Sequence, residues 1–192
     1  MRRARGFTLI ELIAVAVIVA IMAAVLTPLA LSSLRAYTST LDDLIVLDKL
    51  RYATERLARE MREVNYDSSA GFAFTTTFVA GTANYNSIGF TRTFYNYNSS
   101  GTAVPSSDTV TVGNTGDGTV TLTYASGGGT QVLTNELGVA GNLVFSFFDN
   151  NGNLLTTPAN TTVYAVQIAL TLSHNSHNYT QQTRVELRNR PT

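Results

Sequence analysis

The chain has 192 residues, with 13 Lys plus Arg balanced by 13 Asp plus Glu and with no Cys or Trp. That length fits one domain or a small domain with an appendage. The absence of Cys removes disulfides, Cys-ligated zinc and thiol catalysis, and the zero net charge argues against a dedicated nucleic-acid binder.

The balance conceals a sharp segregation along the chain. Arg2, Arg3 and Arg5 open it, and Glu11 is then the only charge in the 28 residues from Phe7 to Leu34. Residues 35–67 hold 13 charged side chains in 33 positions, whereas residues 72–183 hold five in 112.

From Leu12 to Leu31 the sequence LIAVAVIVAIMAAVLTPLAL supplies twenty consecutive apolar or nearly apolar residues. As a helix rising about 1.5 Å per residue this run covers the roughly 30 Å hydrocarbon core of a bilayer. Basic residues upstream, against Arg35, Asp42 and Asp43 downstream, predict a cytoplasmic N-terminus and an external bulk. A cleaved secretory signal also begins this way, but its apolar stretch is usually about 7 to 15 residues. A carboxylate at Glu11 is costly at the edge of such a run and calls for a cation, unless it lies at the level of the headgroups. Pro28, inside the run, removes a backbone donor and clashes one turn back, which predicts a kink or local melting. Equally, it fits a proline tolerated near the outer membrane face.

The leader and Gly6-Phe7-Thr8-Leu9-Ile10-Glu11-Leu12 resemble the N-terminus of the type IV pilin and pseudopilin superfamily. The resemblance implies cleavage between Gly6 and Phe7 by a prepilin peptidase and methylation of the new Phe7 amine. It also implies a salt bridge between Glu11 and the Phe7 amine of a neighbouring subunit, and gives Pro28 the place of a helix-bending proline. Such a pairing would offset the burial of both charges. Removing residues 1–6 takes three Arg away, leaving ten basic against 13 acidic side chains, a total of −3.

Between Arg35 and Asp67 there is no Gly or Pro, and Leu47, Leu50, Leu57, Met61 and Val64 recur at helical spacing. They predict an amphipathic helix whose apolar face packs under a sheet. On the other faces, Arg51, Glu55, Arg59 and Glu63, with Arg56 and Glu60 as a second pair, form a solvated i to i+4 ladder worth a few tenths of a kcal/mol per pair. A coiled-coil dimer is disfavoured because Asp42, Asp43 and Asp48 interrupt the upstream heptads.

Beyond Gly71 the chain turns to Thr, Asn, Ser, Gly and Tyr, with strand alternation in Val110-Thr111-Val112 and in residues 120–124. Turn signals lie at 114–118, 127–129 and 149–153. In the last third, Leu143, Phe145 and Phe147, then Tyr164, Val166, Ile168, Leu170 and Leu172, and finally Val185 and Leu187 mark the clearest strands. The stretch 81–107, around Phe94, Tyr95 and Tyr97, reads equally as edge strands or a surface loop. Exposed tyrosines there are compatible with plain sheet surface or with binding of sugars or partner proteins.

Little in the head points to chemistry. His174 and His177 sit in a polar segment that reads as a hairpin turn rather than a metal site. Asp149, Asn151 and Asn153 alternate like the start of a calcium loop but lack its Gly and terminal acid, so an Asn-Gly turn is preferred. The sequence has no phosphate loop after a hydrophobic strand, no nucleophile elbow, and no pair of carboxylates in the head spaced for acid and base roles, and the expectation is a non-enzyme with no cofactor and no metal.

The fold class expected is α+β and pilin-like: leader 1–6, transmembrane or filament-core helix 7–34, amphipathic helix 35–67, and an antiparallel β head over 68–192. The helix LRYATERLAREMREV and the C-terminal strands resemble minor pilins and minor pseudopilins. Resemblance implies a structural subunit of a type IV pilus or secretion pseudopilus, active in filament initiation or at the tip. An adhesin displayed at the tip, a major pilin and a monomeric anchored protein are the alternatives. Implied partners are the prepilin peptidase, other pilin or pseudopilin subunits, an inner-membrane assembly platform and, before assembly, membrane lipid. The implied location is the bacterial inner membrane and then the filament.

Overall fold

A computed structural model describes residues 8–114, 116–137 and 143–187. The chain falls into two compact units, Met1–Leu44 and Ile45–Thr192. Helix α1, Leu9–Arg62, is continuous through both, as the absence of Gly favours, and it runs through Pro28 despite the cost of an interior proline.

In the first unit the α1 side chains from Leu9 through Leu44 lie exposed, apart from a partly covered Asp43. This segment of α1 is long and apolar enough to cross a membrane.

In the second unit the chain builds β1 (Tyr66–Asp67), β2 (Gly71–Phe72), β3 (Asn84–Tyr85), β4 (Ser87–Tyr97), β5 (Ala103–Asn114), β6 (Val120–Tyr124), β7 (Gly129–Thr134), β8 (Leu143–Phe148), β9 (Ala165–His174) and β10 (His177–Glu186). These form two four-stranded antiparallel sheets, ordered β4-β5-β6-β7 and β10-β9-β8-β3, with β1-β2 as a small third. The architecture is α+β, with α1 packed against antiparallel sheets, as the sequence implies, although the head holds two main sheets.

The core of this unit joins α1 residues Val46, Leu50, Ala53, Leu57 and Met61 to inward-facing strand residues such as Phe90, Val112, Leu122, Phe145, Ile168 and Leu170. The edge-on rings of Phe74 and Phe147, 5.5 Å apart, link the segment after β2 to β8. One expected core position is corrected: Leu47 is 44% exposed and Val46 is buried in its stead. The 3- and 4-residue steps of a buried stripe admit either neighbour at its margin, and packing chooses. The helix also stops at Arg62, short of Asp67. Its end is closed by Glu63 N to Glu60 O at 3.0 Å and Val64 N to Met61 O at 3.4 Å, and Asn65 N then donates to Thr91 O at 2.9 Å. Pairing with β4 outcompetes a further helical turn.

The turns follow local chemistry. Asn175 and Ser176 both take positive φ, 48° and 65°, and set His177 opposite His174 in the β9–β10 register, the signature of a tight two-residue hairpin. The stretch 81–107, open between edge strands and a loop, holds β3, β4 and the first part of β5, and β4 pairs with β5 as a long hairpin in register from Ser87↔Gly113 to Tyr97↔Ala103. β6 supports β5 only from Val110 to Asn114.

Candidate functional site

The candidate N-terminal site begins with Thr8 and Glu11. Thr8 N and Oγ1 both donate to Glu11 Oε2, at 3.0 and 2.9 Å, while Glu11 N and Leu12 N donate to Thr8 O. This is the acid's half of an N-terminal capping box, in which Glu11 reaches back to the backbone N–H of the residue just before the helix. The Thr8 hydroxyl adds a second bond to the same oxygen rather than accepting from Glu11 N. The carboxylate also sits in the first turn, where the helix dipole favours negative charge. Thr8-x-x-Glu11 is legible in the sequence as a capping box, a signal that reading Glu11 only for a cationic partner overlooks. Gly6 and Phe7, the expected cleavage and methylation residues, lie outside the described residues, as does the Phe7 end of the expected salt bridge.

Pro28 lies inside α1, whose helical course continues on both sides. Proline has no N–H to give Ala24 O, and Thr27 Oγ1 donates to Ala23 O at 2.7 Å.

The second unit holds a polar cluster that sequence reasoning placed wrongly. Glu60, expected on the solvated ladder, is 1% exposed. Its Oε1 accepts from Tyr124 OH at 2.7 Å and faces Arg56 Nη2 at 2.9 Å. Its Oε2 accepts from Arg92 Nη1 at 3.0 Å. Arg92 Nη1 also reaches Glu63 Oε2 at 3.0 Å, and its guanidinium lies 4.7 Å from the Tyr124 ring centre. Arg56 Nη2 donates to Tyr124 OH at 2.8 Å. Burial pushes the Tyr124 phenol above its ordinary value, and its hydrogen bond to the Glu60 carboxylate adds to the rise. A buried carboxylate persists only when its lone pairs are filled. Here the donors come from α1, β4 and β6 at once. The ladder was correct for Arg51 and Glu55, an exposed pair at 2.8 Å, and incorrect for Glu60, because β4 and β6 cover that side of α1. A second tie joins Lys49 of α1 to Glu136, just after β7.

The calcium-like loop spends its carboxylate on itself. Asp149 Oδ1 accepts from Asn151 N and Asn153 N, at 2.9 and 2.8 Å, and Oδ2 from Asn153 Nδ2 at 3.0 Å. These bonds, first of all from Asn153, hold its carboxyl below the usual range. Among the described residues no three His, Cys, Asp or Glu side chains gather as a metal site would need. His177 Nδ1 lies 3.0 Å from Asn175 O, within its own turn.

Compared with known protein families, residues 1–27 match the prokaryotic N-terminal methylation motif. No curated protein and no solved structure matches the chain.

Proposed function

The chain carries a prepilin-type N-terminal methylation motif, consistent with the type IV pilin and pseudopilin superfamily, and on that premise we propose that it is a minor structural subunit of a pilus or pseudopilus. The prepilin peptidase trims it between Gly6 and Phe7 and the new Phe7 amine is methylated. Before assembly the protein is a single-pass membrane protein with the N-terminus in the cytoplasm and the head outside. It then enters the filament through residues 7–34, with other pilin-type subunits and the assembly platform as partners.

The observation that carries this proposal is the motif match over residues 1–27 at the head of an apolar helix with exposed side chains. Trimming leaves one ammonium at Phe7, four residues from the Glu11 carboxylate, and in a filament core each charge lowers the other's burial cost. The capping bonds from Thr8 engage one Glu11 oxygen and leave the other for the Phe7 amine of a neighbouring subunit. Pro28 gives the helix a weak point at which to bend as subunits pack. The role is mechanical and needs no catalytic group.

Intact-mass and N-terminal analysis of protein from its host tests the processing step. Loss of residues 1–6 with one added methyl is expected, and an uncleaved Met1 terminus overturns the assignment. Abundance tests the minor role. The protein should be a trace component of sheared filaments, and a dominant band would make it a major subunit.

A further inference from the structure

Beside the Glu60 cluster lies a cavity of about 290 Å³, walled by Arg56, Arg92, Phe94, Asp108, Tyr124 and Gln131 among others. It is near the small end of ligand pockets, which run from about 300 to 1,000 Å³, and has room for a single small ring. Asp108 is 4% exposed. Its Oδ1 accepts from Ser126 N at 2.9 Å, while its Oδ2 faces Arg92 Nη2 at 3.8 Å, an ion-pair separation too long for a hydrogen bond. Arg92 Nε is buried without a partner among the described residues.

Charge selects the ligand class. Arg56 and Arg92 are set against Glu60, Glu63 and Asp108, a sum of −1. Each guanidinium already faces a carboxylate, and although Arg92 Nη2 stands too far from Asp108 for a hydrogen bond, an anion placed there meets Asp108 on the wall and a net charge of −1. A cation meets the two arginines. A neutral hydroxyl satisfies both sides, because it donates to the carboxylate while accepting from a guanidinium across the same gap. Phe94, half-buried on β4, gives one wall an apolar face of the kind that covers the C–H side of a sugar ring, and the Gln131 amide offers both a donor and an acceptor.

We infer that this cavity binds a neutral sugar, with Asp108 accepting from a ring hydroxyl and Phe94 lying against the ring. The site belongs wholly to the second unit and stands independently of the filament assignment. Tyr95 and Tyr97, 63% and 75% exposed, lie on the opposite side of β4 from Phe94 by strand alternation and are not part of it.

The test is ligand-detected saturation-transfer NMR on the full chain, in a detergent without sugar headgroups. The probes are glucose, galactose and N-acetylglucosamine, with N-acetylneuraminic acid as the anionic comparison. At least one neutral sugar should bind, and the anionic sugar should bind more weakly. Asp108→Asn keeps an oxygen for Ser126 N yet removes the charged acceptor, and should weaken binding by roughly tenfold. Phe94→Ala should do the same by removing the ring face, and serves alone if Asp108→Asn fails to fold. The assignment is overturned if none of the neutral sugars binds, if the anionic sugar binds best, or if binding survives both substitutions, and its loss in Tyr95→Ala or Tyr97→Ala would then move the site to the other side of β4.

Discussion

Two glutamates on one helix meet their environments in opposite ways. Glu11 is an exposed residue in an apolar stretch, and its donors come from Thr8, three residues away. Glu60 is sealed in the head, and its donors come from Arg56 one turn back, from Arg92 on β4 and from Tyr124 on β6. A carboxylate beside apolar groups is tolerated wherever its oxygens are filled. The comparison teaches that the source of the donors decides what the charge does. A local source caps a helix end, whereas a distant source fastens one element to another.

The largest expected break in this comparison is at Glu11. Glu11→Ala should leave membrane insertion intact and reduce the protein recovered in sheared filaments by about tenfold or more, the loss of ~1.4 kcal/mol or more of assembly energy. Quantitative blots of filament and membrane fractions measure it, and normal incorporation would count against the proposed pairing with Phe7.

At Glu60 the expected effect falls on folding instead. Glu60→Ala takes an acceptor from Arg56, Arg92 and Tyr124 at once, leaves Arg92 with Glu63, and should destabilise the head by about 1–3 kcal/mol, the range for leaving buried donors unfilled. The melting of the β signal in the full chain reads this directly. Glu55→Ala, which breaks the exposed pair with Arg51, should leave the same transition where it is. Equal effects from the two substitutions would dissolve the distinction between ladder and cluster.

A smaller effect is expected at Tyr124, where Tyr124→Phe removes the hydrogen bond to Glu60 and the one accepted from Arg56, while Arg56 and Glu60 keep each other, and should cost about 1 kcal/mol at neutral pH. The phenol is raised above its ordinary value of 10.0 by burial and by Glu60. Its folded form holds the proton more tightly than the unfolded chain does. The associated stability is therefore full below about pH 10 and lost as pH rises through the higher folded value. Denaturation curves across that window should lose this alkaline slope in the Phe variant.

The smallest effect is expected at Asp149, where Asp149→Ala should chiefly loosen a loop. The carboxyl is held low by bonds from Asn153 and Asn151, so its contribution is present above the ordinary carboxylate range and fades as pH falls through the depressed value. Faster amide exchange at Asn151 and Asn153, with no change in the global transition, is the expected result.

Much of this was open to reading from local pattern. The alternation of residues 164–172 gives the buried Val166, Ile168, Leu170 and Leu172 of β9, because a period of two fixes which side chains share a face. The hairpin at Asn175-Ser176 follows from residue type. The β4–β5 hairpin was obscured because Tyr, Asn and Ser alternate there without an apolar side, and seven of its rungs, Thr91↔Thr109 to Tyr97↔Ala103, have no β6 beside them to demand one. The cavity was unreadable for a related reason: Phe94 and Asp108 lie on different strands, and only their pairing register brings them to one wall.

By itself the sequence determined the apolar N-terminal helix, the methylation motif with its single carboxylate, and the strand character of the head. Each of these rests on residues within about one helical turn or one strand of each other, where covalent geometry sets the neighbours. Only the tertiary structure decided that Glu60 belongs inside, that the head divides into two sheets, and that Arg92 serves a glutamate 32 residues before it. Closing that loop costs chain entropy that no local pattern announces, and the chain meets the cost only when the core of α1 and both sheets is buried together.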